Sequence, residues 1–253
     1  VPLLALDGVT KRFGGLVAVD GLTFSIEAGA IVAMIGPNGA GKSTVFNLVT
    51  GIYRPDAGSV AFDGLPLAGA HIDAVAKRGI ARTFQNIRLF AFMSALDNVM
   101  TGRHARMRAQ LWDSLLHTPL QRREERAVRE RARDLLRFVG LEADAERYAH
   151  NLPYGSQRRL EIARALANDP KLLLLDEPAA GMNPREKDDL VELIGRIRAS
   201  GVTVFLIEHD MRLVMRVSER ITVLDHGEKI AEGTPDEIRA NERVIEAYLG
   251  KPA

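Results

Sequence analysis

The apolar positions follow two periods. Leu22, Phe24 and Ile26 alternate with Thr23 and Ser25, the two-residue period of a strand buried on one face. With a further strand over 3–9, this predicts an antiparallel layer at the start of the chain. Ile31–Ile35 and Leu172–Leu175 are instead unbroken apolar runs, and Val202–Ile207 is one interrupted only by Thr203. Such runs suit strands covered on both faces, as in a parallel sheet between helices. More strands are expected at Ser59–Phe62, Ile80–Phe84, Ile221–Leu224 and Lys229–Ala231. Between them the period changes. Val128, Ala132, Leu135, Leu136 and Val139 recur at helical spacing, and Gly140 suits a helix end. Arg158–Asn168 repeats the stripe until Pro170, and Asp188–Ala199, Met211–Ser218 and Pro235–Leu249 read as further helices. Alternating strands and helices predict an α/β fold with a mostly parallel core sheet and an antiparallel N-terminal β layer.

Composition narrows the class. With 253 residues, 46% hydrophobic and 26% charged, the chain suits one large domain carrying an inserted subdomain. A net charge of +1 gives no overall pull toward nucleic acid, and nucleic acid is not expected as a partner. The interspersed Arg and Glu of 122–133 read as a solvated helix face. The absence of cysteine excludes disulfides and thiolate metal sites. No apolar run approaches the ~20 residues of a membrane span. Val1–Leu6 is too short, and lacks the basic start, for a signal peptide. The protein is therefore expected to be soluble by itself, with any membrane role supplied by a partner. Trp112, beside Leu111, Leu115 and Leu116, reads either as part of a small amphipathic helix packed on the core, the preferred reading, or as a docking element.

Chemistry concentrates where the central strands end. Gly36-Pro37-Asn38-Gly39-Ala40-Gly41-Lys42-Ser43-Thr44 fits the phosphate-binding pattern G-x-x-x-x-G-K-[ST]. A polyphosphate needs many backbone N–H groups at close range, and glycine lets the backbone approach. A helix starting near Gly41 would turn its free N–H groups and a partial charge of roughly +0.5 toward the anion. Lys42 can reach the β- and γ-phosphates, and the Ser43 hydroxyl can ligate Mg²⁺. Asp176 and Glu177 follow the apolar run 172–175, at the strand edge where α/β sheets bind ligands. Asp176 can hold Mg²⁺ through water, and Glu177 can polarise an attacking water. His209 stands at the same edge after the run 202–207. Phe13, in the turn Lys11–Gly15, either stacks on a base or plugs the core. Leu89, Phe90 and Phe92 beside Gln85 suggest a contact surface.

Taken in order, these motifs resemble the ATP-binding subunits of ABC transporters over essentially the whole chain. The resemblance implies an ABC ATPase fold, a P-loop NTPase with an α-helical subdomain inserted at about 86–165. It implies ATP and Mg²⁺ as ligands. Phe13 stands where the family stacks an aromatic on adenine. Gly36, Pro37, Asn38, Gly39, Ala40, Gly41, Lys42, Ser43 and Thr44 match Walker A, and 172–177 match Walker B with Glu177 as catalytic glutamate. Gln85 matches the glutamine that joins the metal site, with Ser43 and Asp176, to the membrane partner. His209 is similar to the switch histidine that contacts the γ-phosphate. Ala179–Pro184 stand where the family has an inter-subunit loop.

Leu152–Gln157 resembles the signature that touches the neighbouring subunit's ATP. Pro153 and Tyr154 replace the usual serine and first glycine. Gly155 keeps the close backbone approach, and Ser156 is the nearest hydroxyl. This altered signature, together with Arg82–Gln85, Ile207–Met211 and the ending Ala247–Gly250, resembles the larger ATPase subunit of branched-chain amino-acid importers. That branch implies an ATP-dependent dimer, with itself or with a second similar ATPase subunit. It implies two transmembrane permease subunits, a periplasmic or extracellular binding protein, and a place at the cytoplasmic face of the inner membrane. The nearest alternative is another transport class, such as the ATPase for lipopolysaccharide extraction. A small-molecule P-loop kinase lacks reason for the signature and His209. A DNA-repair or translation ATPase would carry tandem cassettes or a long coiled coil, and neither is present.

Overall fold

A computed structural model describes residues 1–103 and 119–249, with side chains described for 1–103 and 124–248. Two sheets form the frame. Strands β1 (Leu4–Phe13), β2 (Leu16–Ile26), β4 (Ala57–Phe62) and β5 (Leu65–Pro66) make an antiparallel sheet in the order β2-β1-β4-β5. Strands β3 (Ile31–Ile35), β6 (Ile80–Arg82), β7 (Leu172–Asp176), β8 (Thr203–Ile207), β9 (Arg220–Asp225) and β10 (Glu228–Gly233) make the other, ordered β10-β9-β3-β8-β7-β6. All its neighbouring pairs are parallel except β9 with β10.

Alternation along the central strands divides the core in two. Val32, Met34, Leu172, Leu174, Phe205 and Ile207 face the antiparallel sheet and helix α1 (Lys42–Val49). There Phe205 packs on Phe24 at 5.6 Å and on Phe46 at 4.9 Å. Ile31, Ala33, Ile35, Leu173, Leu175, Val204 and Leu206 belong to the second core. It includes residues of α3 (Ala95–Gly102), α4 (Pro119–Phe138), α5 (Tyr154–Leu166), α6 (Pro184–Ala199) and α7 (Met211–Val217). Helices α3, α4 and α5 pack on one another between β6 and β7 in the chain. A short α2 (Ile72–Arg78) precedes β6, and α8 (Pro235–Arg239) and α9 (Glu242–Leu249) end the described chain.

Several boundaries differ from the sequence expectation. β1 runs on to Phe13, so only Gly14 and Gly15 turn between Phe13 and its partner Leu16. Gly14 has φ +58°, which a two-residue hairpin turn favours. α5 begins at Tyr154 rather than Arg158, so the signature residues form its first turn. Glycine disfavours a helix, which hides this start in the sequence, but space favours glycine here: a Cβ on Gly155 would lie 2.4 Å from Glu186 Oε1. α6 begins at Pro184 because Asn183 and Glu186 close a capping box ahead of it. The C-terminal stretch is two helices, not one, the first entered through a second capping box at Thr234 and Glu237. α2 and α3 lacked a long apolar stripe. Ser94, which caps α3 by accepting from the Asp97 N–H, was the available signal. Trp112 and its neighbours lie outside the described residues.

Candidate active site

The phosphate loop joins the carboxyl end of β3 to α1. Two of its glycines are required by space. A Cβ on Gly36 would lie 2.1 Å from the Leu224 carbonyl oxygen, and one on Gly41 2.3 Å from that of Ala18. Gly41 also has φ +100° and stands at the N-cap, where it brings no side chain to occupy the helix N–H groups. The first turn of α1 carries no acidic residue. Neither a capping side chain nor a carboxylate thus competes for the free N–H groups of this helix start, as an anion site requires. Lys42 is buried, and its Nζ donates to the carbonyls of Gly36 (2.7 Å) and Pro37 (2.9 Å). Burial pushes the Lys42 ammonium below the ordinary lysine range, opposed by the carboxylates of Glu177 and Asp176.

Asp176 and Glu177 close β7 on the same edge. Glu177 is left-handed at φ +47°, rare for a residue with a side chain, and its N–H donates to Ile207 O at 2.9 Å. Its Oε2 accepts from Gln85 Nε2 at 3.0 Å and stands 3.7 Å from His209 Nδ1. A cavity of about 510 Å³ is lined by Phe13, the loop residues Asn38–Thr44, Gln85 and Glu177. Phe13 is 41% exposed and meets Tyr53 edge-on at 5.1 Å. It therefore packs and lines the cavity at once. A larger cleft of about 690 Å³ lies at the opposite strand ends. Its cations are already matched, Arg131 with Asp169 at 2.9 Å and Lys171 with Asp63.

Ser43, Asp176 and Gln85 offer hydroxyl, carboxylate and amide oxygen, hard donors that suit Mg²⁺. Among the described residues no cluster of three His, Cys, Asp or Glu side chains could hold a metal alone. Ser43 and Gln85 line the cavity, while Asp176 lies behind it with Oδ2 paired to Arg82, so the donor types suit a cation that takes other ligands from phosphate and water. Gly155 and Ser156 do not line the cavity. Ser156 is buried, and its hydroxyl accepts from Arg159 Nη2 at 3.1 Å, so it is engaged within its own helix. The Tyr154 ring lies against Gly181, where an added Cβ would meet Cε1 at 2.9 Å. The contact stretch divides as well. Phe92 is 83% exposed and Phe90 is also exposed, whereas Leu89 packs against the core and is no free surface residue.

The sequence reading missed the residues behind this edge. Arg82 Nη2 pairs with Asp176 Oδ2 at 2.7 Å, and its Nη1 donates to Asn47 Oδ1 at 2.6 Å. Its guanidinium lies over the rings of Phe46 and Phe84, each at 5.4 Å. Arg158 on α5 donates to Phe84 O at 2.7 Å, to Gln85 O, and to the Tyr154 hydroxyl at 3.1 Å. Glu161 accepts from the N–H groups of Phe84 and Arg88, both at 3.4 Å. Burial pushes the Glu161 carboxyl up, with Arg158 opposing. The available signal was a pair of charges on the apolar side of a predicted helix.

Comparison with known proteins agrees with this geometry. Residues 19–180 match the ABC transporter family, and residues 228–253 match the branched-chain amino acid ATP-binding cassette transporter family. The chain is 49% identical to the high-affinity branched-chain amino acid transport ATP-binding protein BraF of Pseudomonas aeruginosa, over 99% of this chain and 98% of that one. It is 46% identical to LivG of Escherichia coli K12, described in the same terms, with the same coverage. The lipopolysaccharide export ATP-binding protein LptB of that organism is 36% identical over 98% of this chain and 97% of its own. Among solved structures, an ABC transporter cassette in its ADP conformation superposes with TM-score 0.87 at 31% identity, covering 99% of this chain and 100% of that one. A dimeric cassette bound to ADP and Pi gives 0.77 at 28%, covering 92% and 98%.

Proposed function

The chain belongs to the ABC transporter family, and from that premise we propose that this ATPase powers uptake of branched-chain or related amino acids. Support for the substrate class comes from the 49% identity to BraF together with the match of residues 228–253. LptB is the weaker likeness at 36%. The observation that carries the chemistry is the convergence of Gln85 and His209 on Glu177 Oε2 beside the phosphate loop.

In this proposal ATP lies in the cavity with its base against Phe13 and its phosphates on the backbone N–H groups of residues 38–44. Lys42 places a cation on the β- and γ-phosphates. Ser43, Asp176 and Gln85 would hold Mg²⁺, whose charge would offset that of the phosphates. Glu177 orients the attacking water, and its left-handed backbone aims the carboxylate out of β7. His209 stabilises the γ-phosphate. Phosphoryl transfer asks for this combination of positioning and electrostatics, with no covalent step from the protein.

Gly155 and Ser156, outside their own subunit's cavity, serve the nucleotide of a second ATPase subunit, either a copy or a similar chain. Helices α3–α5, in the proposed subdomain 86–165, then move with ATP-driven closure. Phe90 and Phe92 dock on a permease subunit, and two permeases hold the pair of ATPases at the cytoplasmic face of the inner membrane. A binding protein outside the membrane delivers substrate to them. No described helix is long and apolar enough to span the bilayer, so attachment falls to the permeases. Glu177→Gln tests the chemistry. The purified variant should bind Mg-ATP normally, hydrolyse it at least a hundredfold more slowly, and accumulate as an ATP-bound dimer in size-exclusion chromatography. Near-parental turnover would remove Glu177 from the role.

A further inference from the structure

One buried anion at the active edge has no part in the chemistry above. Glu208 directly follows β8 and is 1% exposed. Among the described residues no lysine or arginine pairs with it, and His209 Nδ1, 4.0 Å away, is the nearest basic group in ion-pair range. Backbone donors hold it instead. Oε1 accepts from the Ala179 N–H at 2.7 Å. Oε2 accepts from the N–H groups of His209 at 3.0 Å and Asp210 at 3.3 Å. Three backbone donors can stabilise a carboxylate in a site where an unpaired one would be very unfavourable.

The two sets of donors belong to different segments. Ala179 opens the loop 179–183, two residues beyond Glu177. His209 and Asp210 begin the segment that enters α7, where Asp210 caps the helix by accepting from Arg212 and Leu213. The Glu177 N–H is held by Ile207 O, the residue before Glu208. Ile207 and Glu208 thus fix the backbone on both sides of Pro178, keeping Glu177 at its left-handed φ of +47°.

We infer that Glu208 is a positioning residue: its carboxylate sets the spacing between Glu177 and His209 and ties both to the loop 179–183. The inference takes Glu177 and His209 in the roles proposed above. Each Glu208 oxygen serves a different segment. If one were replaced by an amide nitrogen, a donor would face a donor. Either the Glu177 side or the His209 side would lose its anchor, while the phosphate loop would be untouched.

Glu208→Gln is isosteric and makes that change. Loss of one charge-assisted hydrogen bond predicts a fall in kcat of about ten- to hundredfold. KM for ATP and ATP affinity by calorimetry should stay within about twofold, since Lys42 and the loop N–H groups are intact. Single-turnover rates with excess enzyme give the coupling. In a His209→Ala background, Glu208→Gln should slow hydrolysis by a clearly smaller factor than in the parent, because the His209 half of its positioning is gone and only the Glu177 half remains. Amide exchange in the parent protein gives an independent reading. The N–H groups of Ala179 and His209 should be protected as strongly as those of β8. Fast exchange at both would overturn the inference. So would an equal loss in the two backgrounds, or a raised KM with kcat unchanged. If Glu177→Gln and His209→Ala themselves leave turnover intact, the site assignment fails; if they abolish it while Glu208→Gln does nothing, only this inference fails.

Discussion

Replacing Arg82 by Met should destabilise the protein severely although Arg82 touches no part of the cavity. Arg82 and Asp176 are 10% and 6% exposed and meet at 2.7 Å. Removing the guanidinium leaves a buried carboxylate without its ion-pair partner, a change that costs about 3–5 kcal/mol. The Met side chain can still lie between Phe46 and Phe84, so lost packing adds little. At about 2–4 °C per kcal/mol for a domain of this size, the melting temperature should fall by roughly 6–20 °C. Calorimetry in EDTA without nucleotide measures this directly. Neutralising the stranded partner supplies the control: Arg82→Met with Asp176→Asn should recover more than half of the loss, because no buried charge remains. A fall below about 2 °C in the single variant would refute the pairing argument. A double variant as unstable as the sum of the singles would refute it too.

Phe13→Ala should weaken ATP and GTP alike by about five- to 150-fold, the range for losing a stacked base, measured by titration calorimetry; unchanged affinities would leave Phe13 as packing on Tyr53 alone. Because burial lowers the Lys42 pKa, its cation is lost at lower pH than an ordinary lysine's. ATP affinity should hold below that lowered pKa and fall by up to about tenfold per pH unit above it, while Lys42→Ala should bind weakly with no such step. Phe92→Ser should shift the melting temperature by less than about 2 °C, as an exposed substitution does, and leave basal ATPase unchanged. It should abolish stimulation by permease and loaded binding protein in proteoliposomes. Leu89→Ser should instead melt lower, since Leu89 packs on the core.

The two-residue and 3.6-residue periods made most of the fold legible. The central strands 31–35 and 172–175 were visible because both faces are covered, which leaves an unbroken apolar run. Gly36–Thr44 was legible because phosphate binding demands glycine at fixed spacing. Residues whose partners are distant in sequence were not. Arg82 meets Asp176 across 94 positions, and Ala179 meets Glu208 across 29. Neither pairing leaves a period. The start of α5 was misplaced for a related reason: Gly155 reads as a loop residue in sequence, while the Glu186 side chain that leaves no room for a Cβ there is distant in the chain.

Arg158 has a mechanical consequence. It is 2% exposed, sits one turn into α5, and grips the carbonyls of Phe84 and Gln85. Gln85 belongs to the cavity of its own subunit, whereas the first turn of α5 is proposed to serve the neighbour's. A single rigid side chain therefore ties a component of one nucleotide site to a component of the other. Any displacement of Gln85 must carry the start of α5 with it, or break buried hydrogen bonds to a guanidinium. Occupancy on one side then biases geometry on the other, so ATP turnover by the assembled pair should be cooperative, with a Hill coefficient above one that Arg158→Lys, which keeps a cation beside the buried Glu161 but loses the two-carbonyl grip, lowers toward one.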